Sequence, residues 1–489
     1  MRLWNTRGRR LLLASAGTLC LAALAAAPAP VSAGFSASTQ NGPSSFTAAA
    51  SFGPTLSQPA ASSSCTSETG SGGTCVDGVA LSGATAVAVS PDGASMYVAS
   101  LYSHAVAAFA RNATTGRVSQ LAGTAACVSS SGTSGACVTG SQLLDTSGVA
   151  VSPDGLHVYV ASYDPGALTA YTRNTSTSAL TRLAGTAGCV TETGNSGTCV
   201  DGKAMLEVRG VAVSPDGKNV YLTSPSLDAV AVLARNAVTG AVTPLAGTAA
   251  CISRSGNDGA AVNQCVVGTA LDGVSGIAVS ADGKNVYVTA PSDSAVVAFS
   301  RNTTTGALTQ LAGTAGCTSD TGTSGACVDG LELWGAAGIA ISPDDRHVYV
   351  TSPWGNTVAV LARNSTTGVL TQLSGTAACV SPTGTGGSCG VGTALDGASG
   401  VTVSPNGENV YVAATSADAV ASFARNTTTG ALTQDAGTSA CVSETGTSGA
   451  CTDGRALDGA RGLVVSPDGK DVYVASTVSS ALTQLTRDR

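Results

Sequence analysis

The stretch Ser152-Pro-Asp-Gly-Leu-His-Val-Tyr-Val160 decides the fold, because a close variant of it occurs seven times in the chain. The serines that open the seven copies are Ser90, Ser152, Ser214, Ser280, Ser342, Ser404 and Ser466. Successive copies lie 62 residues apart, except for one step of 66 residues. A constant period of this size indicates one supersecondary unit copied in tandem, and such units bury their faces against their neighbours.

Each copy contains four short apolar segments separated by turn residues. In the sixth copy the pattern predicts strands over Gly400–Ser404, Val410–Ala413, Ala419–Ala424 and Ala431–Gln434. The Pro and Gly of S-P-D-G suit a turn between the first two strands, and R-N-x-x-T-G suits a turn between the last two. Seven such units predict an all-β, seven-bladed β-propeller with four antiparallel strands per blade.

The two ends of the chain predict how the ring closes. The last copy stops at Arg489 before a fourth strand, and a matching segment, Leu56–Pro59, precedes Cys65 near the N-terminus. A strand from the N-terminus that completes the C-terminal blade removes both open sheet edges. A string of seven separate disulfide-bonded modules is the alternative, but separate modules would each be complete. The period is too long for a β-helix, and the chain lacks the helical periodicity of an α/β barrel.

Residues 1–33 are predicted to be a signal peptide. Arginines precede the apolar run Leu11–Ala27, and Val31-Ser-Ala33 fits a signal-peptidase site. The general secretory route and, because of Arg9-Arg10, the twin-arginine route both stay open. Residues 34–54 are interpreted as a poorly ordered leader and residues 55–489 as a single propeller domain. We therefore expect a secreted, extracellular protein without a membrane span.

Fourteen cysteines after the signal segment form one pair per repeat. The predicted pairs are Cys65 with Cys75, Cys127 with Cys137, Cys189 with Cys199, Cys251 with Cys265, Cys317 with Cys327, Cys379 with Cys389, and Cys441 with Cys451. Each pair encloses a loop rich in Gly, Ser and Thr that contains no histidine, which favours disulfides over zinc. We predict no metal site and no cofactor, and whether the Asp-Gly pairs that follow several second cysteines bind calcium singly stays open.

The charge balance excludes some partners. The net charge is −7, and four arginines lie in the predicted signal segment, so the mature chain is more acidic still. Nucleic acid and anionic membrane surfaces are therefore disfavoured. We expect a monomer whose partner is an extracellular small molecule, a glycan or a protein.

The combination of S-P-D-G-x-x-V-Y-V, A-V-A-x-F-x-R-N and T-G-x-L-T-Q resembles the YVTN-repeat and lactonase-like group of seven-bladed β-propellers, which includes proteins labelled 6-phosphogluconolactonase. The resemblance extends from about Thr55 to Arg489. It implies the same fold. It also implies that ligands bind on the face that carries the loops from strand four to the next strand one and from strand two to strand three.

In a repeat protein, the positions where copies differ are the candidate site. The residue five before each S-P-D-G serine is predicted to lie at the mouth of the central channel, and it is small in five copies but Arg209 and Arg461 in the other two. With Glu207, these arginines suit a carboxylate or phosphate. A second set of candidates, which would form an aromatic shelf on the same face, comprises Trp334, Trp354, Tyr102, His104 and Tyr163.

No catalytic motif accompanies these candidates. The chain lacks a nucleophile elbow, a phosphate-binding loop and a metal-binding histidine pair. The catalytic residues are therefore unknown from the sequence, and we expect a rigid binding scaffold for an extracellular ligand. The alternative hypothesis is a lactonase-like hydrolase with its site at the channel mouth.

Overall fold

The computed structural model describes residues 53–259 and 261–488, which form seven blades of one six-stranded sheet each. The all-β, seven-bladed prediction is thereby confirmed. We number the blades after the copies of the repeat, so that blade 1 contains Ser90. The predicted signal peptide and the leader up to residue 52 lie outside the described residues.

The first three strands of every blade are antiparallel and follow one another in the chain. The innermost strands, which contact each other around the channel, are Ala84–Val89, Thr146–Val151, Val211–Val213, Ile277–Val279, Gly338–Ile341, Ala398–Val403 and Ala460–Val465. The second strands, which carry the V-Y-V motif, are Ser95–Ser100, His157–Ser162, Asn219–Ser224, Asn285–Ala290, His347–Ser352, Asn409–Ala414 and Asp471–Ser476. The third strands are Ala105–Arg111, Ala167–Arg173, Ala229–Arg235, Ala295–Arg301, Thr357–Arg363, Ala419–Arg425 and Ala481–Arg487.

The predicted fourth strand is split into two pieces in every blade, and both pieces pair with the third strand. The first pieces are Leu56–Ser57, Val118–Gln120, Leu180–Arg182, Val242–Pro244, Leu308–Gln310, Leu370–Gln372 and Leu432–Gln434. The second pieces begin at the first cysteine and are Cys65–Ser67, Cys127–Ser129, Cys189–Thr191, Cys251–Ser253, Cys317–Ser319, Cys379–Ser381 and Cys441–Ser443. A short 3-10 turn joins the two pieces. Its residues are small, which lets the outer edge bend away from the sheet.

A sixth strand, not expected from the sequence, follows each disulfide loop and pairs in parallel with the second outer piece. These strands are Val76–Asp77, Val138–Thr139, Val200–Asp201, Val266–Val267, Val328–Asp329, Gly390–Val391 and Thr452–Asp453. Two residues are too few to show a strand period, so no sequence pattern marks them. The blade is therefore mixed where four antiparallel strands were predicted.

The ring closes in blade 7 as predicted. Leu56 pairs with Arg487, and Cys65–Ser67 pairs with the same strand at Thr483, Leu482 and Ala481. Leu56 is 2% exposed and packs in the core of the last blades. The N-terminal segment thus supplies all three outer strands of the C-terminal blade.

Glycine near the start of the innermost strands lets neighbouring blades approach closely around the channel. A methyl group at Gly338 would lie 2.2 Å from the carbonyl oxygen of Ser399, and one at Gly400 would lie 2.1 Å from that of Arg461. A side chain at either position would push two blades apart. The channel is narrow because backbone meets backbone there.

The end of the molecule that carries the S-P-D-G turns is held by a girdle of buried arginines. In six of the seven blades the arginine that ends the third strand pairs with the S-P-D-G aspartate of the preceding blade, at 2.7–3.0 Å. Arg301, for example, binds both carboxylate oxygens of Asp216 and donates from Nε to the Tyr221 hydroxyl, while that hydroxyl donates to the Gly306 carbonyl. The tyrosine of V-Y-V and the recurring arginine therefore join neighbouring blades.

The seven predicted disulfides are all present, one per blade, with Cα–Cα distances of 4.8–4.9 Å. Six of them span 10 residues and join Cys65 to Cys75, Cys127 to Cys137, Cys189 to Cys199, Cys317 to Cys327, Cys379 to Cys389, and Cys441 to Cys451. The bridge from Cys251 to Cys265 spans 14 residues. Every predicted pairing is therefore confirmed, which agrees with the preference for disulfides over zinc.

Each bridge staples a loop on the face opposite the arginine girdle. We call this face, which also carries the turns between second and third strands, the disulfide face. The second cysteine of each pair directly precedes the short parallel strand, as Cys75 precedes Val76–Asp77. The bridge therefore ties that two-residue strand to the outer edge of its blade.

Candidate functional site: the channel mouth on the disulfide face

The seven residues predicted to surround the channel mouth lie at the start of the innermost strands. Five are small and buried: Thr85, Ser147, Ser275, Ala337 and Ser399. The hydroxyls of Thr85, Ser147 and Ser399 donate to backbone carbonyls, as when Ser147 Oγ donates to the Val208 carbonyl at 2.9 Å. Arg209 and Arg461 interrupt this small-residue ring from blades 3 and 7.

Arg209 belongs to a polar cluster that joins blades 2 and 3. Its guanidinium carbon lies 5.0 Å from the centre of the Tyr163 ring, a distance at which the cation is attracted to the ring face. The Tyr163 hydroxyl accepts a hydrogen bond from Arg209 and donates one to Glu207. Burial and then the Glu207 carboxylate raise the pKa of Tyr163, which keeps the phenol protonated.

Arg461 is 7% exposed and lies near Arg209 across the mouth. Burial is the main cause that lowers the pKa of Arg461, to about 10, and the positive charge of Arg209 lowers it further. Burial also lowers the pKa of Arg209, while Tyr163 and Glu207 oppose that change. Two guanidinium groups in a desolvated mouth are a favourable environment for an anion.

Tyr102 reaches the same cluster from blade 1. Its side chain is 67% exposed, and its ring packs on Gly83, where a methyl group would lie 2.6 Å from the ring. Tyr102 also interacts electrostatically with Arg461. The structure therefore brings together Arg209, Arg461, Glu207, Tyr163 and Tyr102.

Trp334 and Trp354 form a separate pair on blade 5. Their ring centroids are 6.3 Å apart and the rings are inclined by 67°. The arginine cluster is built from blades 1, 2, 3 and 7, so this aromatic pair on blade 5 is distinct from it. Of the candidates for the aromatic shelf, Trp334 and Trp354 therefore form one pair, and Tyr102 and Tyr163 lie with the arginine cluster.

His104 fills a structural turn position in blade 1. Its Nδ1 accepts a hydrogen bond from the Asp145 backbone N–H at 2.9 Å, and the Asp145 carboxylate lies 3.2 Å from the same nitrogen. At the same turn position in other blades, the acceptors for the next blade are Asp228, Ser294, Asn356, Asp418 and Ser480. The residue acts as one of a series of latches between blades.

The remaining site predictions are placed as follows. In residues 53–259 and 261–488, no group of three His, Cys, Asp or Glu side chains could hold a metal ion. The Asp-Gly pairs lie in the short parallel strands after the disulfide loops, with Asp77 exposed. A cleft of about 550 Å³ is lined by Thr66, Asp77, Arg117 and Gln120 at the outer edges of blades 7 and 1. It lies at the outer edge of the ring, away from the arginine cluster at the channel mouth.

No helix within the described ranges is both long and apolar enough to cross a lipid bilayer.

Comparison with known proteins supports the fold and the family resemblance. The family model "Lactonase, 7-bladed beta-propeller" matches residues 272–444 and 335–489. A putative 6-phosphogluconolactonase from Bacteroides fragilis is similar at 19% identity with a TM-score of 0.50, covering 71% of this chain and 82% of its own. The hydrazine synthase of Kuenenia stuttgartiensis is similar at 15% identity with a TM-score of 0.50, covering 84% of this chain and 97% of its own.

No curated protein sequence matches this chain. The two solved proteins carry different activities in their names, so at such low identity their likeness shows the fold alone. The family match covers the last three and a half repeats, and the same strand pattern continues through the other repeats. The chain is a seven-bladed β-propeller whose C-terminal blades are similar in sequence to the lactonase propeller family.

Proposed function

We propose that this protein is an exported hydrolase that opens a lactone at the arginine-lined channel mouth. The observation that carries the proposal is the pair Arg209 and Arg461, which face one mouth in a chain whose sequence matches the lactonase propeller family. Export rests on the predicted signal peptide and on disulfides that need an oxidising compartment.

The chemistry assigned to these residues is ester hydrolysis by water. Water attacks the lactone carbonyl, and its oxygen bonds to the carbonyl carbon while Glu207 takes the proton. The guanidinium groups stabilise the oxyanion of the tetrahedral intermediate. The ring C–O bond then breaks and the alkoxide takes the proton from Glu207. The new carboxylic acid loses its remaining proton to solvent, and the product carboxylate is released from the arginines.

Tyr163 acts as a positioning residue in this scheme. It holds Glu207 and Arg209 together through its hydroxyl, so the base and the oxyanion donor keep a fixed relation. Its raised pKa keeps it a hydrogen-bond donor to Glu207 throughout the neutral range.

The test is a screen of sugar-acid lactones with the purified mature protein in a pH-stat, which records the acid released. Arg209→Ala, Arg461→Ala and Glu207→Gln should each lower the rate, by about 10²–10³-fold for a lost oxyanion donor. Ser275→Ala is the matched control at the same channel position in blade 4, and its rate should stay unchanged. A rate that is equal in all four variants would contradict the proposal.

Ligand binding without turnover is the second candidate. It is favoured by the placement of His104, the histidine of the disulfide face, in an inter-blade turn. In that case sugar acids should bind with an affinity that falls in Arg209→Ala and Arg461→Ala, while no lactone is hydrolysed. Calorimetry with a sugar acid such as gluconate distinguishes the two candidates.

A further inference from the structure

Blade 5 presents two large apolar side chains to solvent on the disulfide face. Trp334 is 56% exposed and Trp354 is 47% exposed. The turn position of Trp354 is occupied in the other blades by Tyr102, Asp164, Ser226, Ser292, Ser416 and Val478. Since small or polar residues suffice there, the fold does not require a tryptophan, and an exposed aromatic pair of this kind is typical of a binding site.

The Trp354 ring is held in place before any ligand binds. Gly335 adopts a φ of 73°, and a methyl group on it would lie 2.5 Å from the Trp354 ring. The Trp354 ring therefore rests on bare backbone, and Trp334 directly precedes that glycine in the chain. The Gly335 N–H donates to Ser294 Oγ of blade 4 at 3.2 Å, which fixes this turn to the neighbouring blade. Rings fixed in advance lose little conformational freedom on binding.

A carboxylate stands beside the aromatic pair. A methyl group on Gly355, the neighbour of Trp354, would lie 3.5 Å from Glu332 Oε2. The Glu332 backbone is fixed by Ser352 Oγ and Thr357 Oγ1, which donate to its carbonyl at 3.2 and 2.9 Å. The carboxylate of Glu332 therefore lies near the turn that carries Trp354.

The surrounding sequence is acidic. Residues 317–337, which lead into the innermost strand of blade 5, contain Asp320, Asp329 and Glu332 and no Lys, Arg or His. The turn at residues 353–356 contains no charged residue. This sector therefore disfavours anions, in contrast to the arginine cluster on blades 3 and 7.

We propose that Trp334, Trp354 and Glu332 form a binding site for a small organic cation of the quaternary ammonium class. Such a cation is attracted to the face of an indole ring, and its methyl groups are apolar enough to displace water from that face. The carboxylate of Glu332 supplies the counter-charge. The site is separate from the proposed lactone site, so either proposal can fail without the other.

Tryptophan fluorescence reads this site selectively. The chain has three tryptophans, and the third lies within the predicted signal peptide, so the emission of the mature protein comes from Trp334 and Trp354. Titration with choline should change that emission saturably. Glu332→Gln, Trp354→Ala and Trp334→Ala should each weaken binding by about tenfold, measured by calorimetry where a tryptophan is lost.

Two controls separate this proposal from others. The neutral isostere 3,3-dimethyl-1-butanol should bind at least tenfold more weakly than choline, whereas equal binding would overturn the cation site. Tyr102→Ala changes the equivalent exposed turn of blade 1 and Arg209→Ala changes the channel mouth, and both should leave choline binding unchanged. No saturable response to choline in a protein that unfolds cooperatively would also overturn it.

The same ammonium group occurs free in solution and on lipid headgroups. Binding of choline without sedimentation on vesicles of phosphatidylcholine would assign a free solute. Sedimentation on those vesicles that Trp354→Ala abolishes would assign the headgroup. An oligosaccharide that changes the emission when choline does not would replace the cation with a sugar and refute the proposal.

Discussion

The carboxylate of Asp345 accepts hydrogen bonds from the backbone N–H groups of Ala281 and Asp282, both at 2.7 Å, across the boundary between blades 5 and 4. At the equivalent boundary between other blades, a glycine packs on the proline ring of the preceding blade, as Gly155 does on Pro91 and Gly407 on Pro343. Blade 4 reads S-A-D-G and blade 5 reads S-P-D-D. Ala281 has a backbone N–H, which a proline at this position would lack, and the Asp345 carboxylate accepts a hydrogen bond from it.

This exchange predicts a coupled pair of substitutions. Ala281→Pro removes one donor to a carboxylate that is 9% exposed and should lower the free energy of unfolding by about 1–3 kcal/mol. Adding Asp345→Gly restores the S-P-D-G pattern in both blades and should recover most of that loss. A double-mutant cycle by urea denaturation measures the coupling, and purely additive effects would refute it.

Removing an arginine of the girdle should destabilise the ring strongly. Arg301 is 5% exposed, whereas the side chain of its partner Asp216 is 30% exposed. Arg301→Ala leaves the Tyr221 hydroxyl and Asp216 without their cation, so we expect a loss of about 3 kcal/mol. Arg301→Lys should recover part of it, because lysine keeps the charge without the bidentate geometry. Urea denaturation measures the loss, and Lys218→Ala, an exposed change in blade 3, serves as the control.

Each disulfide should make its own contribution to the free energy of unfolding. The Cys317–Cys327 bridge closes a loop of 10 residues, and its removal by Cys317→Ala with Cys327→Ala should cost about 2–3 kcal/mol of unfolding free energy. The oxidised and reduced wild-type proteins give the control for all seven bridges together. The circular dichroism of the folded variant should not change, since the bridge lies at the outer edge of the blade, away from the inner strands. An unchanged urea midpoint would contradict this account.

A carboxyl pair at the junction of blades 2 and 3 should make stability depend on pH. Burial, and then a hydrogen bond with Asp258, raise the pKa of Glu192 to about 7. The same two carboxyl groups fix the backbone just before Glu207. Glu192 accepts a hydrogen bond from the Met205 N–H and Asp258 accepts one from the Ala204 N–H, each at 2.6 Å.

The sign of this dependence follows from proton binding. Between the ordinary glutamate pKa and about 7, the folded protein holds a proton that the unfolded chain releases, so this contribution to stability falls as pH rises through that window. Glu192→Gln should remove the dependence and stabilise the protein above pH 7. Glu444→Gln is the matched control, because Glu444 accepts the Leu457 N–H at the same loop position with no inserted aspartate beside it. The test is the Tm of the wild type, Glu192→Gln and Glu444→Gln measured as a function of pH.

The seven-bladed ring could be predicted from the sequence because the pattern of turns and β-branched residues occurs seven times. Each copy predicts the same blade. Leu56 could be placed in blade 7 from its distance to Cys65 alone. The two-residue parallel strands were not predictable, since Val76–Asp77 carries no periodicity. The sequence places His104 at the same position of the repeat as Asp228 and Ser294. Only the structure shows that side chains at this position bond to the next blade.

The candidate site was predicted in composition but not in arrangement. The arginines stood out as the two large residues in a series of small ones, and the structure places Tyr102 and Tyr163 beside them. The distance between this cluster and the tryptophans depends on which blades face each other across the ring, which the sequence does not state. The pairing of Glu192 with Asp258 requires two loops from different blades, and the only sequence signal was the four-residue insertion between Cys251 and Cys265.

The closure of blade 7 sets an order of events during synthesis. Ser57 and Asp488, which meet at the seam, are separated by 431 residues. The ribosome makes Leu56–Ser57 before Ala481–Arg487, so the N-terminal strand stays unpaired while the intervening blades are translated. Closure of the circle therefore waits for the strand Ala481–Arg487, and a truncation that removes this strand would leave the N-terminal strands exposed to association with other chains.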